Sequence, residues 1–319
     1  MAPAAPQPAT VLYLAGLGRS GSTLLERTFA RLDGAVAVGE LVHLWRRGLV
    51  DNERCGCGEQ FRACPFWSKV GERAYGGWDR VDAEQVAALS EAVDRTRYVP
   101  YMVTSRGPRA YRSQVDRLVE VLGPLYPAIA EVAGERVVVD SSKDPSYAYL
   151  LRLAPEIRLQ VVHTIRDSPA VAYSWAKRVE RPDADATLMT RWPPQRTARL
   201  WAGQNMVVRG LAARGVPVEL ARYEDFVSAP ADVVDRLVSN LDLPRPDDRG
   251  PLMAGLREGH IDLGVDHTVS GNPIRFDTGR MQIRADTAWR EAMSPRDRRL
   301  VEAITAPVRW RFGYLGRAA

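Results

Sequence analysis

Val11-Leu-Tyr-Leu-Ala-Gly-Leu-Gly-Arg-Ser-Gly-Ser-Thr-Leu-Leu25 sets an apolar run against a glycine-rich turn and then a second apolar segment. The run predicts a buried strand over 11–16, and the segment after the turn predicts a helix over 22–32. Gly16, Gly18 and Gly21 free the turn to adopt conformations that a side chain forbids. Strand, turn and helix in that order aim successive backbone N–H groups and a helix N-terminus at one point, which is a cradle for an anion. Against the nucleotide-binding pattern G-x-x-x-x-G-K-[ST], Gly16, Gly21 and Thr23 fit, but Ser22 stands where the lysine belongs and the basic residue is Arg19. In nucleotidases and kinases that lysine reaches the β and γ phosphates beside magnesium. Its absence implies a different phosphate-bearing donor.

Two further apolar runs end in cations. Val137-Val-Val-Asp-Ser-Ser-Lys-Asp-Pro145 closes on Lys143, and Leu159-Gln-Val-Val-His-Thr-Ile-Arg-Asp-Ser-Pro-Ala-Val-Ala-Tyr-Ser-Trp175 carries Arg166, with Ser174 eight residues later. Open α/β sheets bind ligands at the carboxyl ends of their strands. An arginine leaving a strand and a serine on the next helix can therefore share one phosphate. Singly, each block has a plainer reading: a common glycine turn, a surface ion pair, a solvated lysine. Their co-occurrence is the signal. Strand 136–140, helix 146–153, strand 158–165 and helix 168–178 alternate as βαβα, which calls for a parallel sheet covered by helices.

Together these blocks resemble the sulfotransferases that use 3'-phosphoadenosine 5'-phosphosulfate (PAPS). The first block is similar to the family's cradle with its early basic residue. Arg166 and Ser174 match its 3'-phosphate clamp, and Lys143 matches the Lys-Asp-Pro segment of tyrosylprotein sulfotransferases. The resemblance implies a P-loop NTPase-like α/β fold, a three-layer sandwich with a central parallel sheet and a helical insert. It implies PAPS as co-substrate with no metal required, and sulfuryl transfer to a hydroxyl or amine of a small-molecule, carbohydrate or lipid acceptor. Donor contacts then fall on Gly18, Arg19, Ser20, Gly21, Ser22 and Thr23, on Arg166 and Ser174, and on Tyr223, whose Tyr223-Glu224-Asp225 segment resembles one near adenine in the family. A buried tyrosine held by its hydroxyl is the alternative for Tyr223.

Catalysis needs a base and cations for the leaving phosphate. Glu40 follows a short strand over 35–38, where carbohydrate and tyrosine sulfotransferases carry a glutamate, and such a carboxylate takes a proton if its surroundings raise its pKa. Lys143 and Arg19 would offset the growing charge. His43, one helical turn on, is the second candidate base, His163 reads as a core residue, and Glu40 as a helix cap is the bland alternative. The glycine and proline-punctuated loop His267-Thr-Val-Ser-Gly-Asn-Pro-Ile-Arg-Phe276 is of a kind that covers nucleotides, so Ser270, Gly271, Asn272 and Arg275 are candidate donor contacts. Two rivals remain: a P-loop small-molecule kinase with Asp140 as its magnesium ligand, and a non-catalytic nucleotide-binding protein.

Length and charge set the outer bounds. At 319 residues the chain reads as a tail over 1–10 and one domain over 11–319, with a helical, cysteine-bearing insert over about 50–130 and a substrate loop over about 180–195. Within the insert and beyond, helices are expected over 82–96, 111–121 and 197–214, an irregular aromatic stretch over 97–108, and a closing helix Asp297 to Ile304. The net charge of +5 comes with no dense basic run, which argues against nucleic acid and suits a polyanionic small molecule. No stretch approaches the roughly 20 apolar residues of a membrane span, and the amino end lacks a signal-like core. A cytoplasmic, bacterial enzyme is expected, and a homodimer stays open. The three cysteines all lie in Cys55-Gly-Cys57-Gly-Glu-Gln-Phe-Arg-Ala-Cys64-Pro-Phe-Trp67. Reduced structural thiols rank first, a disulfide from Cys64 to Cys55 or Cys57 second, and zinc with His43 as fourth ligand third. Pro65, Phe66 and Trp67 form either a plug that docks this loop or a wall of the acceptor pocket. Trp45, Trp67, Trp78, Tyr98, Tyr101, Trp192 and Trp201 are either acceptor surface or core.

Overall fold

Strands that are apolar on both faces must lie between two covering layers. β1 (Ala9–Ala15), β2 (Ala35–Gly39), β3 (Val137–Lys143) and β4 (Ile157–Ile165) are buried along nearly their whole length, β3 and β4 carrying polar residues such as Asp140 and His163 within them. With β5 (Val218–Arg222) they form one five-stranded sheet in the order β2-β3-β1-β4-β5, every neighbouring pair parallel. This computed structural model describes residues 8–104, 106–177, 190–247 and 250–315.

Alternation along β1 sends Val11, Tyr13 and Ala15 to one face and Leu12 and Leu14 to the other. The first face is covered by the insert helices, among them Pro65–Tyr75, Arg109–Leu122 and Leu125–Ala133. The second is covered by Ser22–Phe29 and Pro230–Asn240. The result is a three-layer α/β sandwich. From β1 the chain moves to β2 on one side, whereas β3 crosses over to β4 on the other. The crevice above the carboxyl ends of β1 and β4 is therefore the topological switch point.

Several boundaries differ from the sequence expectation. β1 starts at Ala9, so the end of the expected tail is strand: Ala9 and Thr10 pair with Ile157 and Arg158, burying apolar surface that the tail reading left exposed. The cradle helix stops at Phe29 rather than 32. The stretch 97–108, expected to be irregular, contains the helix Val99–Thr104, because Val99 and Met102 find core to bury against. Tyr223 and Glu224 open a helix, Tyr223–Ser228, instead of ending a strand. The closing helix runs Pro295–Arg311, started by a hydrogen bond from the Asp297 N–H to the Ser294 hydroxyl. Most of the expected substrate loop, 178–189, lies outside the described residues, and Pro194 already begins the helix Pro194–Arg209. Among the described residues no helix is long and apolar enough to cross a membrane.

The turn after β1 depends on glycine for a steric reason. Gly16 has φ 148, and a Cβ there would stand 2.1 Å from the Thr164 carbonyl oxygen on neighbouring β4. Gly134, at φ 70, closes a helix with open space around it. Gly134→Ala should therefore cost only about 1–2 kcal/mol for the left-handed backbone. Gly16→Ala should cost several times more, or prevent folding, since the β1–β4 pairing has to move. Urea unfolding of the two variants checks this; equal losses would show that the turn tolerates a side chain.

Candidate active site

The cradle, the ends of β2, β3 and β4, and a loop from 264 to 277 enclose one cleft of about 520 Å³ at the switch point. Two adjacent charged residues on the cradle helix hold its walls together. Glu26 is buried and accepts hydrogen bonds from the Gly39 N–H (2.7 Å) at the end of β2 and the Ser141 hydroxyl (2.8 Å) near the end of β3. Arg27, 1% exposed, donates to Asp266 (2.6 Å) and to the carbonyls of Gly264 (2.9 Å) and Asp277 (2.6 Å). Arg31 pairs with the other oxygen of Asp266. The loop is also sewn to β2, since Val269 N–H donates to Val38 and Glu40 N–H to Val269, each at 2.8 Å.

Most of the residues singled out in the sequence line this cleft. The cradle contributes Gly18, Arg19, Gly21, Ser22 and Thr23, the strand ends contribute Glu40, Lys143 and Arg166, the helix Ser168–Ala176 contributes Ser174, and the far wall contributes Tyr223, Gly271 and Asn272. Ser20, Ser270 and Arg275 do not line it. The Ser20 hydroxyl turns back to the Leu17 carbonyl (2.7 Å), and the Ser270 hydroxyl accepts from Arg47. Arg275 is 2% exposed and donates to the carbonyls of Thr268 and Arg54, both at 2.9 Å. Ser20 and Arg275 satisfy backbone carbonyls behind the cleft, and Ser270 ties its loop to Arg47.

Three non-glycine residues of this region have positive φ: Arg19 (75°), Lys143 (71°) and Ser270 (55°). Such strain persists where surrounding structure enforces it, and it concentrates at functional sites. At Gly21, φ 87, an added Cβ would stand 2.7 Å from the Tyr223 ring, so glycine there lets the cradle meet the tyrosine. Tyr223 accepts at its hydroxyl from the Asp286 N–H (3.0 Å), donates to the Arg284 carbonyl (3.2 Å) and carries the Arg166 guanidinium 4.5 Å from its ring centre. It is thus both held by its hydroxyl and part of the cleft.

The electrostatics favour an anion. Arg19, Arg47, Lys143, Arg166 and Arg284 face the cleft against two carboxylates, Glu40 and Asp286. Both carboxylates are paired: Glu40 with Lys143 at 2.5 Å and with His43 at 3.5 Å, Asp286 with Arg166 at 3.3 Å. Burial pushes the Glu40 carboxyl up, but Lys143, His43 and Arg47 outweigh it and hold it below the ordinary range. The expected rise in its pKa does not occur in this arrangement. Arg166 donates to the Asp286 carbonyl (2.7 Å), yet its Nε is buried and has no partner among the described residues. A buried orphan donor beside a cleft is a place for a ligand oxygen.

Other expectations resolve differently. Asp140 does not face the cleft: it is fully buried and accepts from Tyr126 (2.6 Å) and from the Ser142 N–H and hydroxyl. His163 is buried and bonded to Asn205 at 2.8 Å. Trp45, Trp67 and Trp201 are core, with 1%, 0% and 0% exposure. The sequence reading missed Arg47, Arg284 and Asp286, which no motif flags. It also missed Trp175 as a wall, although Trp175 directly follows Ser174. Its indole donates to the Gly18 carbonyl (2.9 Å) and stacks on Trp192 at 3.8 Å.

No protein-family model matches the chain, and no curated protein matches it significantly. Among solved structures it is similar to the sulfotransferase domain of the Synechococcus PCC 7002 olefin synthase, at 20% identity and TM-score 0.47 over 96% of this chain and 98% of that one. It is similar also to the sulfotransferase domain of the curacin biosynthetic pathway (17%, TM-score 0.49, 95% and 98%) and to a sulfotransferase from Mycobacterium avium (12%, TM-score 0.47, 97% and 78%).

Burial raises the Glu26 carboxyl to about 7 against the hydrogen bonds it accepts. The folded state therefore holds this proton more tightly than the unfolded chain, whose carboxyl has an ordinary value of 4.5. By linkage, Glu26 lowers stability as pH rises from 4.5 to 7, by roughly 3 kcal/mol in total. Glu26→Gln keeps both hydrogen bonds, with its amide donating to Ser141, and removes the titration. Its stability relative to the parent should rise across that window in urea unfolding. A constant difference between the two proteins from pH 4.5 to 7 would show that Glu26 is ionised throughout.

Proposed function

We propose that the protein is a sulfotransferase that takes the sulfuryl group of PAPS and passes it to a hydroxyl or amine of a small-molecule, sugar or lipid acceptor. One observation carries the reading. A phosphate cradle without the P-loop lysine shares a single cleft with Lys143, Arg166 and Ser174 around a half-buried carboxylate, Glu40. The resemblance of the same residues to the PAPS-dependent family supports it. In this reading the orphan Arg166 Nε and the Ser174 hydroxyl receive the 3'-phosphate, and the cradle N–H groups with Arg19 receive the 5'-phosphosulfate. The kinase alternative loses support because Asp140 is spent on Tyr126 and Ser142 inside the fold.

The chemistry is an in-line displacement. The acceptor oxygen or nitrogen attacks sulfur, its proton passes to Glu40, and the bond from sulfur to the 5'-phosphate oxygen breaks. 3'-Phosphoadenosine 5'-phosphate (PAP) leaves with an added negative charge that Lys143 and Arg19 offset. Because Glu40 is held below the ordinary carboxylate range, it is ionised at neutral pH and so free of a proton, although a weaker base than an ordinary glutamate. Its partner Lys143 gains a second anion when the donor binds, which draws the ammonium away and makes Glu40 more basic for the transfer.

PAP and PAPS should stabilise the protein against heat with no metal added, since a ligand of the folded state alone raises stability by mass action. Stabilisation by ATP with magnesium but not by PAP in the same thermal-shift assay would replace this reading with the kinase one. Labelled PAPS incubated with a metabolite library should yield a product carrying sulfate, and donor binding without any product would leave the non-catalytic reading.

Arg166→Ala should weaken PAP binding by about 1.5–3 kcal/mol, the range for a charged hydrogen bond. Calorimetry reads this directly, and unchanged affinity would remove Arg166 from the donor site. Glu40→Gln should cut turnover roughly 10²- to 10⁴-fold while PAP affinity holds or improves, since Lys143 is released. The parent's kcat/KM should fall only below the ordinary glutamate value of 4.5, because Glu40 titrates lower than that in the free enzyme. That acidic limb should be missing in Glu40→Gln; near-parental turnover with the limb intact would transfer the role to His43.

A further inference from the structure

The fold brings together four side chains that the proposed chemistry does not use. Cys55 and Cys57 lie on a tight turn, closed by hydrogen bonds from the Cys55 N–H to Glu59 and from the Gly58 N–H to Cys55, each 2.8 Å, with Gly58 at φ 93. Cys64 caps the helix Pro65–Tyr75. His267 arrives from the loop that borders the cleft, more than 200 residues away in sequence. Their ligand atoms all lie within 4.8 Å of one another. The His43 that the sequence suggested as a fourth ligand sits beside Glu40 instead.

Three of the six spacings are close to those of a tetrahedron around one ion. Zinc takes thiolate at about 2.3 Å and imidazole at about 2.0–2.1 Å, which puts two sulfurs about 3.8 Å apart and a sulfur and a nitrogen about 3.6 Å apart. Cys57 and Cys64 sulfurs are separated by 3.7 Å, and His267 Nδ1 stands 3.3 Å from Cys64 and 3.9 Å from Cys55. A disulfide needs sulfurs at about 2.05 Å and would engage only two of the three thiols. A thiolate nucleophile needs access, and Cys55 and Cys64 are fully buried. Three thiols and one imidazole converging on a point are a soft donor set that leaves no position open to substrate.

We propose that Cys55, Cys57, Cys64 and His267 form a structural zinc site that fastens the cysteine turn of the insert to the loop walling the cleft. The surroundings are built for it. Phe66 stacks on the His267 ring at 4.7 Å, 9° from parallel, and the Trp67 indole donates to the His267 carbonyl at 3.0 Å. The Gly56 N–H between the first two cysteines donates to the Thr268 carbonyl at 2.9 Å. Ligand and loop are thereby oriented before an ion arrives, and binding adds directly to the stability of the folded state. Two residues past His267 the loop pairs with β2 through Val269, and beyond that Gly271 and Asn272 line the cleft.

The test is metal content of the full chain, expressed with zinc and purified under reducing conditions without chelator. One zinc per chain is expected by elemental analysis, with release of three titratable thiols when the metal is stripped. Cobalt(II) in its place should give the visible bands of a tetrahedral thiolate site. Cys57→Ser alters the least buried cysteine, and His267→Asn the loop ligand; each should bind zinc at least tenfold more weakly in a chelator competition. A zinc-free parent with three free thiols overturns the proposal, as does a Cys57–Cys64 disulfide seen by mass spectrometry without reductant. Zinc bound equally well by parent and both variants would place the ion elsewhere and overturn it too.

Discussion

Lys143 and Glu40, 2.5 Å apart at the carboxyl ends of β3 and β2, form the contact around which the cleft is organised. Two irregularities in the sheet permit it: the register shifts between Ala37 and Gly39 on β2 and between Tyr13 and Ala15 on β1, both opposite the end of β3. Lys143 takes a left-handed backbone there, and its carbonyl receives the Gly16 N–H at 3.0 Å, so the strained residue also anchors the first turn of the cradle. A largely buried ion pair contributes little net stability, because desolvation offsets much of the attraction.

The cradle helix is the post that keeps this edge in place. Glu26 and Arg27 are adjacent, one acidic and one basic, and both buried, and they point to different partners: Glu26 to the ends of β2 and β3, Arg27 to the loop at 264–277. Each satisfies backbone groups that would otherwise be buried without partners at the rim of the cleft. The five cations facing the cleft repel one another, and Glu40 and Asp286 temper that repulsion by pairing with two of them. In the function proposed above, an incoming polyanion would take over those pairings and free both carboxylates.

The insert has a part in the same assembly. Several of its aromatic residues pack into the fold, with Phe61 stacked on Trp67 at 5.1 Å and Trp78 edge-on to Trp45 at 6.3 Å, while Tyr101 is exposed. Pro65, Phe66 and Trp67 act as the plug that docks the cysteine turn, since Trp67 has no exposure and reaches the loop backbone. The loop over the cleft is thus held from three sides: by Arg27 from the cradle helix, by β2 through Val269, and by the cysteine turn.

Local pattern was enough for a parallel sheet covered by helices, because strand-like runs such as 137–139 and 161–165 alternate with helical segments as βαβα. It was enough also for the cradle, since Gly16 and Gly21 answer to backbone geometry, whereas Glu40, Lys143, Arg166 and Ser174 stood out through the family resemblance; they lie at or just past strand ends or on the following helix and so line the switch point. What the sequence could not contain was any partner set by distance in space. That Arg275 turns into the wall, that Arg47, Arg284 and Asp286 face the cleft, that Lys143 depresses the Glu40 carboxyl instead of leaving it raised, and that His267 rather than His43 meets the cysteines all depend on loops with no periodicity of their own. Those loops take their course from buried hydrogen bonds to Glu26, Arg27 and the ends of β2 and β3, and such bonds exist only once the sheet has closed.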